Sequence, residues 1–161
     1  MKLLATILLF ILTNVLFSQS KKDLKDGGII ARTEKTSKLE KKVLVTFVES
    51  EEKYDEKGNK IELIEYKSNG DIKTFDQFSY NEKGRLSKET HLDPLTKKAK
   101  ETVEYFYNDD DKVVKETYYN KKGELHKTVD YTYENKLKIE KKITNSSGKT
   151  IETKSYTYQK K

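Results

Sequence analysis

The chain has 161 residues, of which 37% are charged and 34% hydrophobic, with a formal net charge of +6 and no cysteine. These values exclude a disulfide-stapled scaffold and thiol chemistry, and they leave little apolar material for a thick core. One domain of ~140 residues is the natural organisation, held by backbone pairing and modest burial. The 11 tyrosines and their periodicity argue against disorder.

In chain order, residues 1–18 come first. Lys2 is a short basic start, and Leu3 to Phe17 is an apolar run interrupted only by Thr6, Thr13 and Asn14. Small or polar residues follow at Ser18, Gln19 and Ser20. The segment reads as a cleavable secretory signal peptide, too short for a membrane span of ~20 residues. No stable membrane span is expected after its removal. Residues 19–42 read as a polar lead-in. Lys21 to Gly28 is expected to be solvated, Ile29-Ile30-Ala31 after Gly27-Gly28 begins an extra strand, and Thr36 to Lys42 offers a short helix.

Residues 43–158 carry a repeat. Tyr54, Tyr80, Tyr107, Tyr133 and Tyr158 are spaced 26, 27, 26 and 25 residues apart, and four of them have an aromatic two residues earlier: Phe78, Tyr105, Tyr131 and Tyr156. Such a fixed period marks a repeat architecture. Turn chemistry sharpens it. Six four-residue segments begin at Asp55, Lys67, Asn81, Asn108, Asn120 and Asn145. All but the first position of Lys67 open with Asp or Asn, whose side chain bonds backbone two residues on. All but the segment ending in Asp111 close with glycine, which accepts positive φ. This predicts a type I turn followed by a G1 bulge. Asp93-Pro94 and Glu134-Asn135-Lys136 supply two further turns. Long and short turn spacings alternate, so the unit is a two-strand hairpin of ~26 residues.

Between turns the residues alternate. Leu125, Lys127, Val129, Tyr131 and Tyr133 share one face, and His126, Thr128, Asp130 and Thr132 the other. This period of two, rich in Thr, Tyr and Val, is the half-buried strand pattern. The expected fold is all-β: an antiparallel meander of about nine strands, either an open twisted sheet or a partial barrel. Residues 159–161 form a basic tail.

Phe78-Ser-Tyr80-Asn81-Glu-Lys-Gly84-Arg85-Leu86 resembles the Tyr-x-Tyr-Asp-x-x-Gly-Arg-Leu pattern of the YD-repeat, or Rhs-type, family. Tyr105-Phe-Tyr107-Asn108 and Tyr131-Thr-Tyr133 are weaker copies. The resemblance covers most of residues 50–158 and implies extended β-sheet repeats in an exported or surface-bound protein. No toxin domain of the kind carried by large members is found in this sequence.

His91 and His126 are the only histidines. Both are expected on polar strand faces, and they form a zinc site only if their strands meet. Asp109, Asp110 and Asp111 lack the spaced ligands of a calcium loop and read as a solvated turn. No nucleophile elbow or phosphate loop occurs. Lysines and glutamates are interspersed, which does not favour nucleic acid. No catalytic, cofactor or metal residue is therefore assigned. The aromatics Tyr80, Tyr105, Tyr107, Tyr131, Tyr133, Tyr156 and Tyr158 are the candidate ligand face. Their primary role is expected to be structural, covering a thin sheet and pairing across strands. The expected function is a non-catalytic structural or interaction module of the periplasm, outer surface or extracellular space, with a protein or glycan partner. A glycan- or lipid-binding β protein is the alternative.

Overall fold

The computed structural model describes residues 20–159. The signal peptide expected over 1–18 lies outside these residues, as does most of the basic tail. The described chain opens with a short helix, α1 (Lys21–Asp26). Ten strands follow: β1 (Ala31–Glu40), β2 (Val43–Tyr54), β3 (Lys60–Tyr66), β4 (Ile72–Tyr80), β5 (Leu86–Leu92), β6 (Ala99–Tyr107), β7 (Val113–Asn120), β8 (Leu125–Glu134), β9 (Leu137–Asn145) and β10 (Thr150–Ser155). They form one antiparallel meander in sequence order, with β1 and β10 at its two ends. The sheet is open, so the partial-barrel alternative is set aside.

The turns have the predicted construction. Each of the six segments closes with two backbone bonds, as at Asn81, where the amide of Gly84 donates to the Asn81 carbonyl at 2.8 Å and the amide of Asn81 to the Arg85 carbonyl at 2.9 Å. The first side chain completes the loop: Asn81 Oδ1 accepts the Arg85 amide at 3.0 Å, and Asp55 Oδ1 the Asn59 amide at 2.8 Å. At Lys67, which has no such oxygen, Asn69 Oδ1 accepts the Asp71 amide instead. Asp111 takes the glycine position with φ of 60°, a conformation Asp tolerates better than most residues.

The N-terminal expectation needs correction. Residues 36–42 are not helical. β1 runs through them and pairs with β2 from Ala31↔Lys53 to Glu40↔Val43 across a tight Lys41-Lys42 turn. β1 is the extra strand expected after Gly27-Gly28, and β2 to β10 are the nine expected over 43–158. Lys21–Gly28 is exposed at every residue but Leu24, and over Lys21–Asp26 it is an ordered helix. Ser20 and Asp23 form a capping box, in which the Asp23 amide donates to Ser20 Oγ at 3.2 Å and the Ser20 amide to Asp23 Oδ2 at 3.0 Å. The helix so started buries Leu24 and lies against the turn at Gly58, where an added Cβ would stand 2.5 Å from the Lys21 carbonyl oxygen.

No second layer covers the sheet among the described residues. Directly paired residues share a face, which defines a tyrosine face carrying Glu89, Val103, Tyr118, Glu116, Val129 and Ile143 in adjacent strands. Val103 and Val129, each 2% exposed, are its best-buried residues. The opposite face is centred on Phe75 and Thr117. Burial is therefore local: small apolar side chains lie beneath long tyrosines, glutamates and lysines of neighbouring strands.

Candidate functional site

The tyrosines form the most regular constellation on the molecule. Tyr54, Tyr80 and Tyr107 end β2, β4 and β6, and Tyr133 is the penultimate residue of β8. Each stands at a register shift, where the bulge of the following turn begins. Four hydroxyls then repeat one bond. Tyr80 donates to the Lys60 carbonyl at 2.8 Å, Tyr107 to Leu86 at 2.7 Å, Tyr133 to Val113 at 2.9 Å and Tyr158 to Lys138 at 2.6 Å.

The reason lies in the ladders. The β3–β4 ladder begins at Glu62, β5–β6 at Lys88, β7–β8 at Lys115, and β9–β10 at Glu140. The four accepting carbonyls lie two residues before these points. They are backbone acceptors that the ladder does not reach and that need another partner where water is partly excluded. Each tyrosine lies three residues beyond the last ladder residue of its own strand, and its long side chain reaches back to close one further bond.

The ring faces are also engaged. The Arg85 guanidinium lies 4.6 Å from the Tyr107 ring centre, Lys112 Nζ 5.2 Å from Tyr133, and Lys138 Nζ 4.1 Å from Tyr131. Arg85 continues to the Asp111 carboxylate and Lys112 to the Lys136 carbonyl, each in the next turn of the row. A residue just after one turn thus grips the tyrosine of the next hairpin and the turn beyond it.

Of the other predicted tyrosines, Tyr105 donates to Glu89 Oε2 at 2.9 Å and Tyr131 to Glu116 Oε1 at 2.9 Å. Glu116 also accepts from Tyr118 at 2.7 Å. Burial, then the hydrogen bonds and negative charge of Glu89 and Glu116, push the Tyr105, Tyr118 and Tyr131 hydroxyls well above the ordinary tyrosine range. All three are neutral donors at physiological pH. Tyr156 belongs to the end of the sheet, its amide bonded to the Ile139 carbonyl at 2.9 Å. The structure thus spreads the seven candidate tyrosines along the sheet and does not gather them into one pocket. The depressions beside α1, His91 and Pro94 are lined by other residues.

A second constellation escaped sequence reasoning. His91 shares the tyrosine face with Glu89, contrary to its expected place on a polar face, and stands directly opposite Asp76 of β4. His91 Nδ1 lies 2.7 Å from Asp76 Oδ1, and Nε2 lies 3.7 Å from Glu89 Oε1. All three are half-buried, and one ligand atom from each falls within 4.8 Å of the others. A depression of about 530 Å³ adjoins them. Only the β4–β5 register reveals this group, since Asp76 and His91 are 15 residues apart. His126 lies at the register shift that opens β8, a strand that does not pair with β5, so no two-histidine site forms. Asp111 of the acidic turn is held by Arg85.

A buried carboxylate lies near the N-terminal end. Glu52, 4% exposed, accepts from Arg32 Nε at 2.8 Å, from Lys60 Nζ and from the Tyr54 hydroxyl. Burial alone would raise its pKa, but the bonds from Lys60 and Tyr54 and the Lys60 and Arg32 charges outweigh it and hold the pKa below the ordinary glutamate value. This is the electrostatics of a structural anchor joining β1, β2 and β3.

No described helix is long and apolar enough to cross a membrane. No family model and no curated protein matches the chain. Solved structures it resembles include TarM (14% identity over 81% of this chain and 22% of that one, TM-score 0.34). Others are a porin-like protein from Bacteroides uniformis ATCC 8492 (16% identity, 74% and 50%, TM-score 0.39) and a chain of TcdB2-TccC3-Cdc42 (12% identity, 76% and 10%, TM-score 0.27). The chain spans half or less of each. At such similarity these likenesses carry no argument about function, and the fold rests on the strand register itself.

Proposed function

We propose that the chain is a non-catalytic, exported β-repeat protein of the YD-repeat type, acting as a structural or interaction module in the periplasm or at the cell surface. The observation that carries this reading is the use made of the tyrosines. Their hydroxyls bond carbonyls and glutamates of neighbouring strands, and several ring faces lie under lysine or arginine. Aromatics spent in this way hold hairpins in register. What remains for a partner is a broad, two-faced surface of alternating lysine and glutamate, suited to a protein or glycan at the envelope.

The test has two arms. The tagged full chain is expressed in a bacterial host and fractionated, alongside a version lacking residues 1–18. The full chain should reach the periplasm, surface or medium, and the shortened one should stay inside. Retention of both would end the export reading. The purified protein is then applied to a glycan array and to lipid vesicles. Binding abolished by Tyr156→Ala and Tyr158→Ala, the more exposed tyrosines, would replace the structural reading with the glycan- or lipid-binding alternative.

A further inference from the structure

We propose that His91, Glu89 and Asp76 form a site for a divalent transition-metal ion of the zinc type. His91 Nε2 and the Glu89 carboxylate are its protein ligands, and Asp76 orients the imidazole.

The two ring nitrogens of His91 face different carboxylates. Asp76 Oδ1, 2.7 Å from Nδ1, accepts the proton there and fixes the tautomer that leaves a lone pair on Nε2. This carboxylate–imidazole pairing is the outer-shell arrangement that supports metal-bound histidines. Nε2 faces Glu89 Oε1 at 3.7 Å. Two ligand atoms bound at ~2.0–2.2 Å to a tetrahedral ion stand roughly 3.4 Å apart, so a shift of a few tenths of an ångström seats the ion. Glu89 is held as well, because its other oxygen, Oε2, accepts the Tyr105 hydroxyl at 2.9 Å. Both ligands are therefore oriented before any ion arrives, each by a neutral or acidic partner on an adjoining strand.

The charge environment points the same way. The chain has 33 lysines and arginines, yet among the ion pairs of the described residues Asp76 and Glu89 meet only His91. Two carboxylates around one neutral imidazole leave a local charge of −2, which a divalent cation neutralises. Glu101 stands opposite His91 on β6, and Lys73 and Lys100 line the adjoining depression together with Asp76 and His91. Imidazole with carboxylate suits zinc, nickel or copper, whereas magnesium and calcium prefer an all-oxygen shell. With two protein ligands the site is open, and water completes the coordination.

The test uses zinc chloride on the purified full chain, read by calorimetry and by NMR of the imidazole protons. The chain has only two histidines, so His126 serves as an internal control. One equivalent of zinc should bind, move the His91 resonances and leave those of His126 in place. His91→Ala should abolish binding, Asp76→Asn should weaken it ~10–100-fold, and Glu89→Gln, which removes a ligand, should weaken it more than Asp76→Asn does. Glu89→Gln keeps the imidazole and its Asp76 partner, so the proposal stays testable if His91→Ala fails to fold. No binding by the wild type, full affinity in Glu89→Gln, movement of the His126 signals, or an equal response to magnesium would each overturn the site.

Discussion

The two rows of turns that border the sheet each hold three turns of the same bulged design but differ in what joins one turn to the next. In one row, at 55–58, 81–84, 108–111 and 135–136, each hairpin is tied to its neighbour. Tyr80, Tyr107 and Tyr133 bond back to the preceding strand, Arg85 and Lys112 reach forward to the next turn, and α1 rests on the first. In the other row, at 41–42, 67–70, 93–97, 120–123 and 145–148, the side-chain hydrogen bonds of the turns are local and none reaches the next turn among the described residues. A Cβ added to Gly70, Gly123 or Gly148 would meet nothing within 4 Å. Tyr66 and Tyr119, which precede two of those turns, donate to the glutamates Glu51 and Glu104 and not to the backbone. One local turn thus yields a tied row and a free row, according to the side chains placed beside it.

The largest expected difference is between Gly58→Val and Gly123→Val. Both residues have positive φ, 73° and 76°, which costs a branched residue at least ~1–2 kcal/mol. Only at Gly58 does the new side chain also strike the Lys21 carbonyl. Displacing α1 there exposes Leu24, adding ~1.5–3 kcal/mol. Urea unfolding should show Gly58→Val clearly the more damaging, and equal losses would remove the distinction between the rows. Next, Tyr107→Phe strands the Leu86 carbonyl and should cost ~1–2 kcal/mol, whereas Tyr119→Phe should stay within ~0.5 kcal/mol. The reverse order in the same assay would show that the hydroxyl-to-carbonyl bonds do not hold the hairpins.

A pH experiment probes the tied row at its first member. Burial, then the bond and charge of Glu52, push the Tyr54 hydroxyl up to about 12. Its pKa is thus higher folded than unfolded. The stability it contributes is fully present below about pH 10 and is lost as pH rises toward 12. Tyrosinate absorbance should show a late-titrating phase that Glu52→Gln moves to lower pH; no movement would dissociate Tyr54 from Glu52. The smallest effect is expected for Arg85→Lys, which keeps the charge but loses the planar contact with Tyr107, ~0.5 kcal/mol by the same unfolding measurement.

Turns and strands were readable because they depend on local rules. Asp or Asn at the first position and glycine at the fourth encode the bulged turn wherever they occur, and even Asp111 obeyed. The tyrosine period was equally plain, but not its purpose, since the distance from Tyr107 to the Leu86 carbonyl depends on where each ladder stops. β1 was only half visible: its start at Ala31 was anticipated, but Lys41-Lys42, both at positive φ, carry none of the usual turn residues. α1 was missed because six residues between a serine cap and a glycine form a helix only when something nearby buries Leu24. The Asp76–His91–Glu89 group was invisible for a similar reason. Sequence shows that a histidine and two carboxylates exist, while cross-strand register decides that they meet.

Each strand touches only the strands before and after it, and this sets how the molecule can change in size. Among the described residues nothing spans the sheet from end to end, so stability accumulates hairpin by hairpin, as in a one-dimensional array. Removing β6 and β7 with their turns, or inserting a copy of them, would shift the width by two strand spacings, ~9.5 Å, and leave the remaining joints intact. The protein is in this sense a ruler graduated in hairpins, whose length can be reset without redesigning any of its parts.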